Sequence, residues 1–395
     1  MAHTVSVVIQ RYGDDILGGA ESHARHVAER LAATYDVEIL TTCAHDYNTW
    51  ANHYPPGVSQ VNGLPVRRFP VAHPRPANFR QYSEAMYNRA HTLAEEMAWV
   101  RAQGPYAPAL LDHLKQQRET RDVFIFFTYL YYPTAMGVKV VGDKAVLVPT
   151  THNEGPFYFD FYRGVFHAPR AILYNTEEER QFVQRRLNNG YIPNAVVGVG
   201  VDVPPAPQPG RFRHKLGLDG RPYFLYLGRI TDHKGCDELV RFYEVYQRAY
   251  PREAALVLVG KGEMPLPNLP GLVYGGYVDD TERFDALAGA LAIVVPSRYE
   301  SLSMIALEAW TLGKPVVCTA YSDVVRGMCQ RGNSGLYYYD AAEFSEILHL
   351  LATDESVTAR LGQQGQAFVQ ATYTWPRVIA TYRQHIDAII EDPWG

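Results

Sequence analysis

Two glutamates eight residues apart, Glu300 and Glu308, have the spacing in this chain that is best suited to chemistry. They follow an apolar run, residues 292–295, that predicts a buried strand, and a helix is predicted over residues 302–312. Eight residues of helix span about 12 Å, roughly the reach from a sugar to a ribose across a diphosphate. The helix N-terminus would supply unpaired N–H groups and a positive dipole end for the phosphates. An ordinary strand–helix unit with two solvated glutamates explains the same pattern.

A second group of candidates carries positive charge. Arg229 comes directly after Gly228, which ends a predicted strand, and Lys234 stands at the start of a helix predicted over residues 234–249. Cations at the carboxyl end of a strand, beside a helix N-terminus, are well placed to bind a diphosphate. A solvated loop with two ordinary charges is the alternative, although the position at the first crossover of the second half favours function.

Weaker candidates end other predicted strands. The Gly18-Gly19 pair would let backbone N–H groups approach a phosphate closely, but the same dipeptide is common in plain turns. His152 and Glu154 follow the strand at 145–151 and could contact a sugar and an acceptor, whereas a lone histidine is more often structural. Asn175 ends the next strand and could equally belong to a helix cap.

Two further strand ends and one aromatic stretch complete the candidates. Gly260 and the backbone around Val278 end strands in the second half, where main-chain groups could pair with the edge of a nucleobase. Tight turns at a crowded sheet edge explain Gly260 at least as well. Tyr129 and Tyr131 follow the strand predicted at 122–128 and could form a platform for an acceptor.

The elements that must position these residues alternate between strands and helices, which indicates parallel, doubly wound sheets. Residues 45–82 break this rhythm and are expected to form a long loop, and a proline-rich stretch after residue 203 is the predicted domain boundary. The strands are predicted at 5–9, 36–42, 66–71, 122–128, 145–151, 171–175, 223–228, 255–260, 272–277, 292–295, 315–319 and 335–339.

Composition limits the classes of protein. A length of 395 residues indicates two domains, and a net charge of −5 argues against non-specific nucleic-acid binding. No secretion signal or long apolar run is evident, which predicts a cytoplasmic protein. The motifs G-x-S-x-G, Walker A, H-E-x-x-H and Asp-x-Asp are absent, so no metal or other cofactor is expected. Four scattered cysteines are expected to be buried and unpaired: Cys43, Cys236, Cys318 and Cys329.

Taken together, the motifs resemble family 4 of the retaining glycosyltransferases, whose architecture is the GT-B fold. The resemblance covers nearly the whole chain: Gly18-Gly19, His152, residues 198–202, Gly228-Arg229 with Lys234-Gly235, residues 276–278, Glu300 with Glu308, and a closing helix from about Trp375.

The resemblance implies an α/β fold of two Rossmann-like, doubly wound, parallel-sheet domains that face a central cleft. An N-terminal domain on the acceptor side would cover residues 1–203, a linker 204–212, and a nucleotide-sugar-binding domain 213–373. Residues 374–395 would form a helix that crosses back onto the first domain.

The resemblance also implies residue roles. Glu308 would hold the donor ribose and Glu300 the hydroxyls of the donor sugar, while Arg229 and Lys234 bind the diphosphate. His152 would lie near the reacting carbon, so the implied catalytic residues are Glu300, His152, Arg229 and Lys234. Ser303 departs from the family pattern, where many members have glycine, and this points to sugar selection. The other implied donor contacts are Gly18, Gly19, Asn175, Gly228, Gly260, Val278, Ser301, Leu302 and Met304; Tyr129, Tyr131 and Glu154 would contact the acceptor.

The activity implied is metal-independent transfer of a hexose, with retention of configuration, from GDP-mannose or a UDP-hexose to a saccharide or lipid-linked acceptor. Two alternatives stay open: a nucleotide-sugar epimerase on the same scaffold, and a non-catalytic partner subunit. Attachment at the inner face of a membrane is also left open, because three arginines lie on one predicted helix (Arg180, Arg185 and Arg186), although a solvated basic face is favoured.

Overall fold

A computed structural model describes residues 2–16, 18–204, 206–218 and 220–392. The chain forms two compact units: unit 1 runs from the N-terminus to Gly198 and resumes at Pro376, and unit 2 is Val199–Trp375. Each unit is built on a sheet of mainly parallel strands with helices between them, so the predicted α/β class is confirmed.

Unit 1 contains an eight-stranded sheet in the order β3-β4-β2-β1-β5-β6-β7-β8. Neighbouring strands are parallel except β3 and β4, which form an antiparallel pair. The strands are β1 Thr4–Val8, β2 Asp36–Thr42, β3 Gly57–Val61, β4 Leu64–Phe69, β5 Val123–Phe127, β6 Ala145–Val148, β7 Ala171–Tyr174 and β8 Asn194–Val196. The helices are α1 Gly19–Leu31, α2 Phe79–Tyr87, α3 Leu93–Gln103, α4 Pro108–Gln117, α5 Tyr132–Val141, α6 Asp160–His167 and α7 Glu177–Leu187.

Unit 2 contains a six-stranded parallel sheet in the order β11-β10-β9-β12-β13-β14. Its strands are β9 Tyr223–Leu227, β10 Ala255–Val259, β11 Leu272–Gly276, β12 Ile293–Val295, β13 Val316–Thr319 and β14 Gly335–Tyr338. Its helices are α8 Pro209–Lys215, α9 Cys236–Ala249, α10 Asp280–Gly289, α11 Met304–Thr311, α12 Asp323–Gly332, α13 Ala341–Thr353 and α14 Glu355–Thr372. The last helix, α15 Trp375–Glu391, lies in unit 1 except for its first residue.

The prediction of a long loop over residues 45–82 is wrong for much of that range. Strands β3 and β4 pair there as a hairpin closed by Asn62 and Gly63, whose φ angles of +49° and +80° are those of a two-residue primed turn. Every residue of β3 is exposed or half-buried, so the strand lacks the buried alternation that reveals a strand in sequence.

The domain boundary also differs from the predicted linker at 204–212. Unit 2 begins at Val199, and Pro209 already starts helix α8. Arg211 on that helix forms a 2.5 Å ion pair with the buried Asp285, which ties the segment to unit 2. At the other boundary, Trp375 donates a hydrogen bond to Asp202 (2.9 Å) within unit 2, so the chain returns to unit 1 after Trp375.

Helix α15 packs on unit 1 through specific polar contacts. The Tyr35 hydroxyl donates to Asp387 at 2.6 Å, and the hydroxyl of Tyr382 lies 3.3 Å from Nε2 of His23. Both Tyr382 and His23 are buried. No helix in residues 2–16, 18–204, 206–218 and 220–392 combines the length and apolar character needed to cross a membrane.

Candidate functional site

Glu308 is a buried carboxylate with one unused oxygen. It lies on α11, where one oxygen is 3.0 Å from Nη1 of Arg283 on α10. Among the described residues, the other oxygen has no hydrogen-bond partner although it is buried. Burial raises the pKa of Glu308 to about 7, against the opposing effect of Arg283. Because buried polar atoms are normally paired, this oxygen is suited to accept a hydrogen bond from a ligand hydroxyl.

Glu300 and Lys234 form an ion pair with a separation of 2.9 Å. Lys234 ends a short 3₁₀ turn after β9, and Glu300 lies in the loop after β12. Gly235 lets these loops approach each other: its φ is +76°, and a Cβ there would lie 2.6 Å from the carbonyl oxygen of Pro296. The structure therefore brings together Lys234, which was predicted to bind the diphosphate, and Glu300, which was predicted to bind the sugar.

Helix α11 begins at Met304, two residues later than predicted. Ser303 is its N-cap, and the buried hydroxyl accepts a hydrogen bond from the amide of Ala306 at 3.4 Å. The first N–H groups of a helix lack intrahelical acceptors, and those of Met304 and Ile305 are in this position. Leu302 and Ser303 precede the helix. Ser303 thus has a structural role, and its part in sugar selection stays a prediction.

The remaining predicted donor residues of unit 2 follow neighbouring strands. Arg229 is exposed after β9, and its carbonyl accepts a 2.6 Å hydrogen bond from Tyr226. Val278, half-buried after β11, packs against the core of unit 2, and Ser301 is half-buried beside Glu300. Since the strands are parallel, their carboxyl ends meet at one edge of the sheet, which places these residues on the same edge.

Two glycines bring the ends of β9 and β10 together. The amide of Gly228 donates to Val259 at 3.0 Å, and that of Gly260 donates to Gly276 at 2.8 Å. Gly260 has a φ of +138°, and a Cβ there would lie 1.9 Å from the carbonyl oxygen of Gly228. The close packing of these two strand ends therefore requires glycine at position 260.

In unit 1, His152 and Glu154 form a polar pair after β6. Nε2 of His152 lies 3.5 Å from Glu154, and the other carboxylate oxygen accepts a 2.9 Å hydrogen bond from Tyr129. Tyr129 is fully buried, and the buried ring of Tyr131 packs edge-on against Trp50 at 5.4 Å. The predicted tyrosine platform is therefore corrected: neither ring presents an open face, because both complete the core, and Tyr129 instead orients Glu154.

Glu179 on α7 is an organising residue that the sequence analysis missed. Its carboxylate accepts hydrogen bonds from the amide of Asn175, at 2.6 Å, and from the amide of Thr151. Burial raises its pKa to about 8, although these amides favour the charged form. The side chain thus ties the loop that carries His152 to the end of β7. The Thr176-x-x-Glu179 spacing of a capping box was an available signal.

Two threonines at strand ends adopt left-handed backbone conformations. Thr128 after β5 has a φ of +65°, and Thr150 after β6 has a φ of +51°. Such conformations are rare for β-branched residues and cost about 1–3 kcal/mol each. They lie immediately before Tyr129 and Thr151, so local strain accompanies the polar pair of His152 and Glu154.

Gly18 and Gly19 lie at the start of α1, but a packing reason explains the first of them. A Cβ on Gly18 would be 1.9 Å from a carboxylate oxygen of Glu21. Glu21 is buried and binds Arg11 at 2.7 Å and Gln10 at 3.0 Å. A donor contact at Gly18 and Gly19 stays a prediction.

All four cysteines are buried free thiols, as predicted. Within the described part of the chain, no group of three or more His, Cys, Asp or Glu side chains is arranged to hold a metal ion.

Comparison with known proteins places these features in context. Residues 221–354 match the family model described as glycosyl transferases group 1. The D-inositol 3-phosphate glycosyltransferase of Arthrobacter sp. (strain FB24) is 25% identical, with 97% of this chain and 94% of that protein covered. Among solved structures, the sucrose-phosphate synthase of Thermosynechococcus elongatus has a TM-score of 0.70 at 16% identity, covering 98% of this chain and 99% of the other. Anabaena HepE, solved in complex with UDP, has a TM-score of 0.69 at 14% identity and covers 98% and 100%. The fold, the matched family model and the relatives along the whole chain together support a glycosyltransferase of the GT-B architecture.

Proposed function

We propose that the protein transfers a hexose from a nucleotide diphosphate sugar to a hydroxyl of a saccharide or lipid-linked acceptor, with retention of configuration and without a metal ion. The observation that carries the proposal is the buried oxygen of Glu308 that has no hydrogen-bond partner in the described part of the chain; it lies on the helix that follows Glu300, the partner of Lys234. A buried acceptor and helix N–H groups on the unit of β12 and α11, together with the cation Lys234 from the loop after β9, match the ribose, diphosphate and sugar of such a donor.

In this proposal, Glu308 accepts a hydrogen bond from a ribose hydroxyl, and Arg229 and Lys234 neutralise the diphosphate with help from the amide of Met304. An arriving phosphate competes with Glu300 for Lys234. Glu300 is then released to accept hydrogen bonds from hydroxyls of the sugar. The backbone of Val278 is assigned to the base.

The chemical step in this proposal is mainly electrostatic. The bond between the anomeric carbon and the diphosphate breaks, the acceptor oxygen bonds to that carbon on the same face, and the departing phosphate oxygen takes the acceptor proton. Arg229 and Lys234 stabilise the charge that develops on the diphosphate. In unit 1, we assign His152 to the sugar and Glu154 to acceptor hydroxyls. Asn175, Gly18 and Gly19 stay predicted donor contacts.

A thermal-shift panel of UDP, GDP, ADP and dTDP, each with EDTA, tests the proposal, because a ligand that binds only the folded state raises the melting temperature. UDP is the first probe because the structural neighbour HepE was solved with it. Stabilisation by at least one nucleotide in EDTA is expected, and stabilisation by none contradicts the proposal. NMR of the first-formed product tests retention, which an inverted anomer would refute.

A further inference from the structure

Three exposed tyrosines form a surface on unit 2 that the proposed donor contacts do not use. Tyr321 follows β13, Tyr337 lies on β14 and Tyr339 follows it; their exposed fractions are 53%, 37% and 49%. The rings of Tyr321 and Tyr339 meet edge-on at 5.8 Å, and those of Tyr337 and Tyr339 at 6.3 Å. We call these three residues the tyrosine surface. Exposed aromatic rings that are grouped in this way are a feature of binding surfaces.

Arg298 connects the tyrosine surface to a polar depression. Its guanidinium carbon lies 4.8 Å from the ring centroid of Tyr321, and its Nη2 lies 2.9 Å from Glu238. Arg298 and Glu238 line a depression of about 360 Å³ together with Asp232, His233, Asp237, Arg241 and Tyr299. Aromatic faces and hydrogen-bonding side chains are therefore continuous over one part of unit 2.

We propose that the tyrosine surface and this depression bind a neutral oligosaccharide. Tyrosine presents an apolar face to the C–H groups of a sugar ring and a hydroxyl to its polar edge. Carboxylates and two guanidiniums in the depression provide acceptors and paired donors for neighbouring sugar hydroxyls. Two of its carboxylates are neutralised by arginines in the depression, Asp237 by Arg241 at 3.0 Å and Glu238 by Arg298, and Asp232 adds one further negative charge. This balance of charges favours a neutral ligand over a phosphate or an anionic lipid.

The depression, rather than the tyrosine surface itself, lies next to the proposed donor contacts in the chain. Tyr299 precedes Glu300, and Gly235, which also lines the depression, follows Lys234. A saccharide bound there would be held on the same strand ends as the donor. The choice of ligand class rests on the proposed function, but binding of an oligosaccharide can be measured without turnover.

Isothermal titration with maltotetraose, cellotetraose and mannotetraose tests the proposal. At least one tetrasaccharide should bind the wild-type protein, and Tyr321→Ala and Tyr339→Ala should each weaken that binding by about fivefold or more. The affinity for UDP should not change in either variant. Tyr274→Ala is the matched control, because Tyr274 is 52% exposed on β11, at the opposite edge of the same sheet.

Three outcomes would overturn the proposal: no tetrasaccharide binds at millimolar concentration, Tyr274→Ala weakens binding as much as the other variants, or the variants change only the oligomeric state seen by sedimentation. The last outcome would make the surface a contact between copies of the chain. If the wild-type protein binds a nucleotide but no tetrasaccharide, only this site is rejected. If it binds neither, the proposed function is rejected as well.

Discussion

The half-buried Arg283 and the buried Glu308 form an ion pair of 3.0 Å, and within the described residues it engages one of the two carboxylate oxygens. An unpaired buried oxygen is costly in the free protein, and a hydrogen bond from a ligand would remove that cost. The residue that we assign to the ribose is therefore destabilising until the ligand binds. Glu308 is therefore expected to act differently on the two quantities: it favours ligand binding and lowers the stability of the free protein.

Glu308→Gln should weaken UDP binding by about 10–100-fold, the range for losing a hydrogen bond to a charged group. Isothermal titration measures the effect. The Glu244→Gln control, on the exposed face of α9, should leave the affinity unchanged. Equal affinities for UDP in wild type and Glu308→Gln would remove Glu308 from the donor site.

Arg229→Met and Lys234→Met should each weaken binding of UDP much more than binding of uridine, because both cations are assigned to the diphosphate. Titration of both ligands separates the contribution of the phosphates from that of the nucleoside. Arg248→Met, at the end of α9, is the control for loss of one positive charge. A uniform loss for UDP and uridine would contradict the assigned roles.

Glu179→Gln should lower the melting temperature. The glutamine side chain has a single oxygen, and its NH2 group cannot accept the second of the two hydrogen bonds that the backbone N–H groups donate; the expected cost is about 1–3 kcal/mol. The variant should also alter the pH dependence. The pKa of Glu179 is raised from 4.5 to about 8 in the folded protein, so its contribution to stability is greatest below pH 4.5 and falls as the pH rises toward 8. Between pH 5 and pH 8, the melting temperature of the variant should therefore fall less steeply with rising pH than that of the wild type. An unchanged slope would show that Glu179 is ionised throughout this range.

Gly260→Ala should destabilise unit 2 by at least about 2 kcal/mol, because the added Cβ overlaps the carbonyl oxygen of Gly228 and the φ of +138° disfavours a side chain. Gly262→Ala is a close control: its Cβ would lie 3.5 Å from the Tyr274 hydroxyl, an ordinary contact. Thermal unfolding compares them. Similar melting temperatures for the two variants would mean that the strand ends can separate at little cost.

Most of the fold could be predicted because parallel strands that are buried on both faces read as continuous apolar runs. Residues 223–227 are one example. Strand β3 escaped because it is exposed, although Asn62-Gly63 was a usable hairpin signal. Lys234 and Glu300 were predicted to belong to the same site, but the ion pair between them was not predicted.

The partners within the site were less accessible to sequence reasoning. Arg283 contacts Glu308 because α10 packs beside α11, and the spacing of residues along the chain does not reveal that packing. The burial of Tyr129 could not be inferred either, since a tyrosine with a polar tip suits both a core and a binding surface. Its hydrogen bond to Glu154 required the fold.

Helix α15 has a consequence for how the protein is made. Unit 2 is one continuous segment of the chain, whereas unit 1 needs residues from Pro376 onward to complete it. On the ribosome, unit 2 can be finished while the surface around His23 and Tyr35 still waits for Tyr382 and Asp387. Unit 1 therefore reaches its final packing last, although it is synthesised first. A chain that stops early within unit 2 would expose this surface to chaperones and proteases.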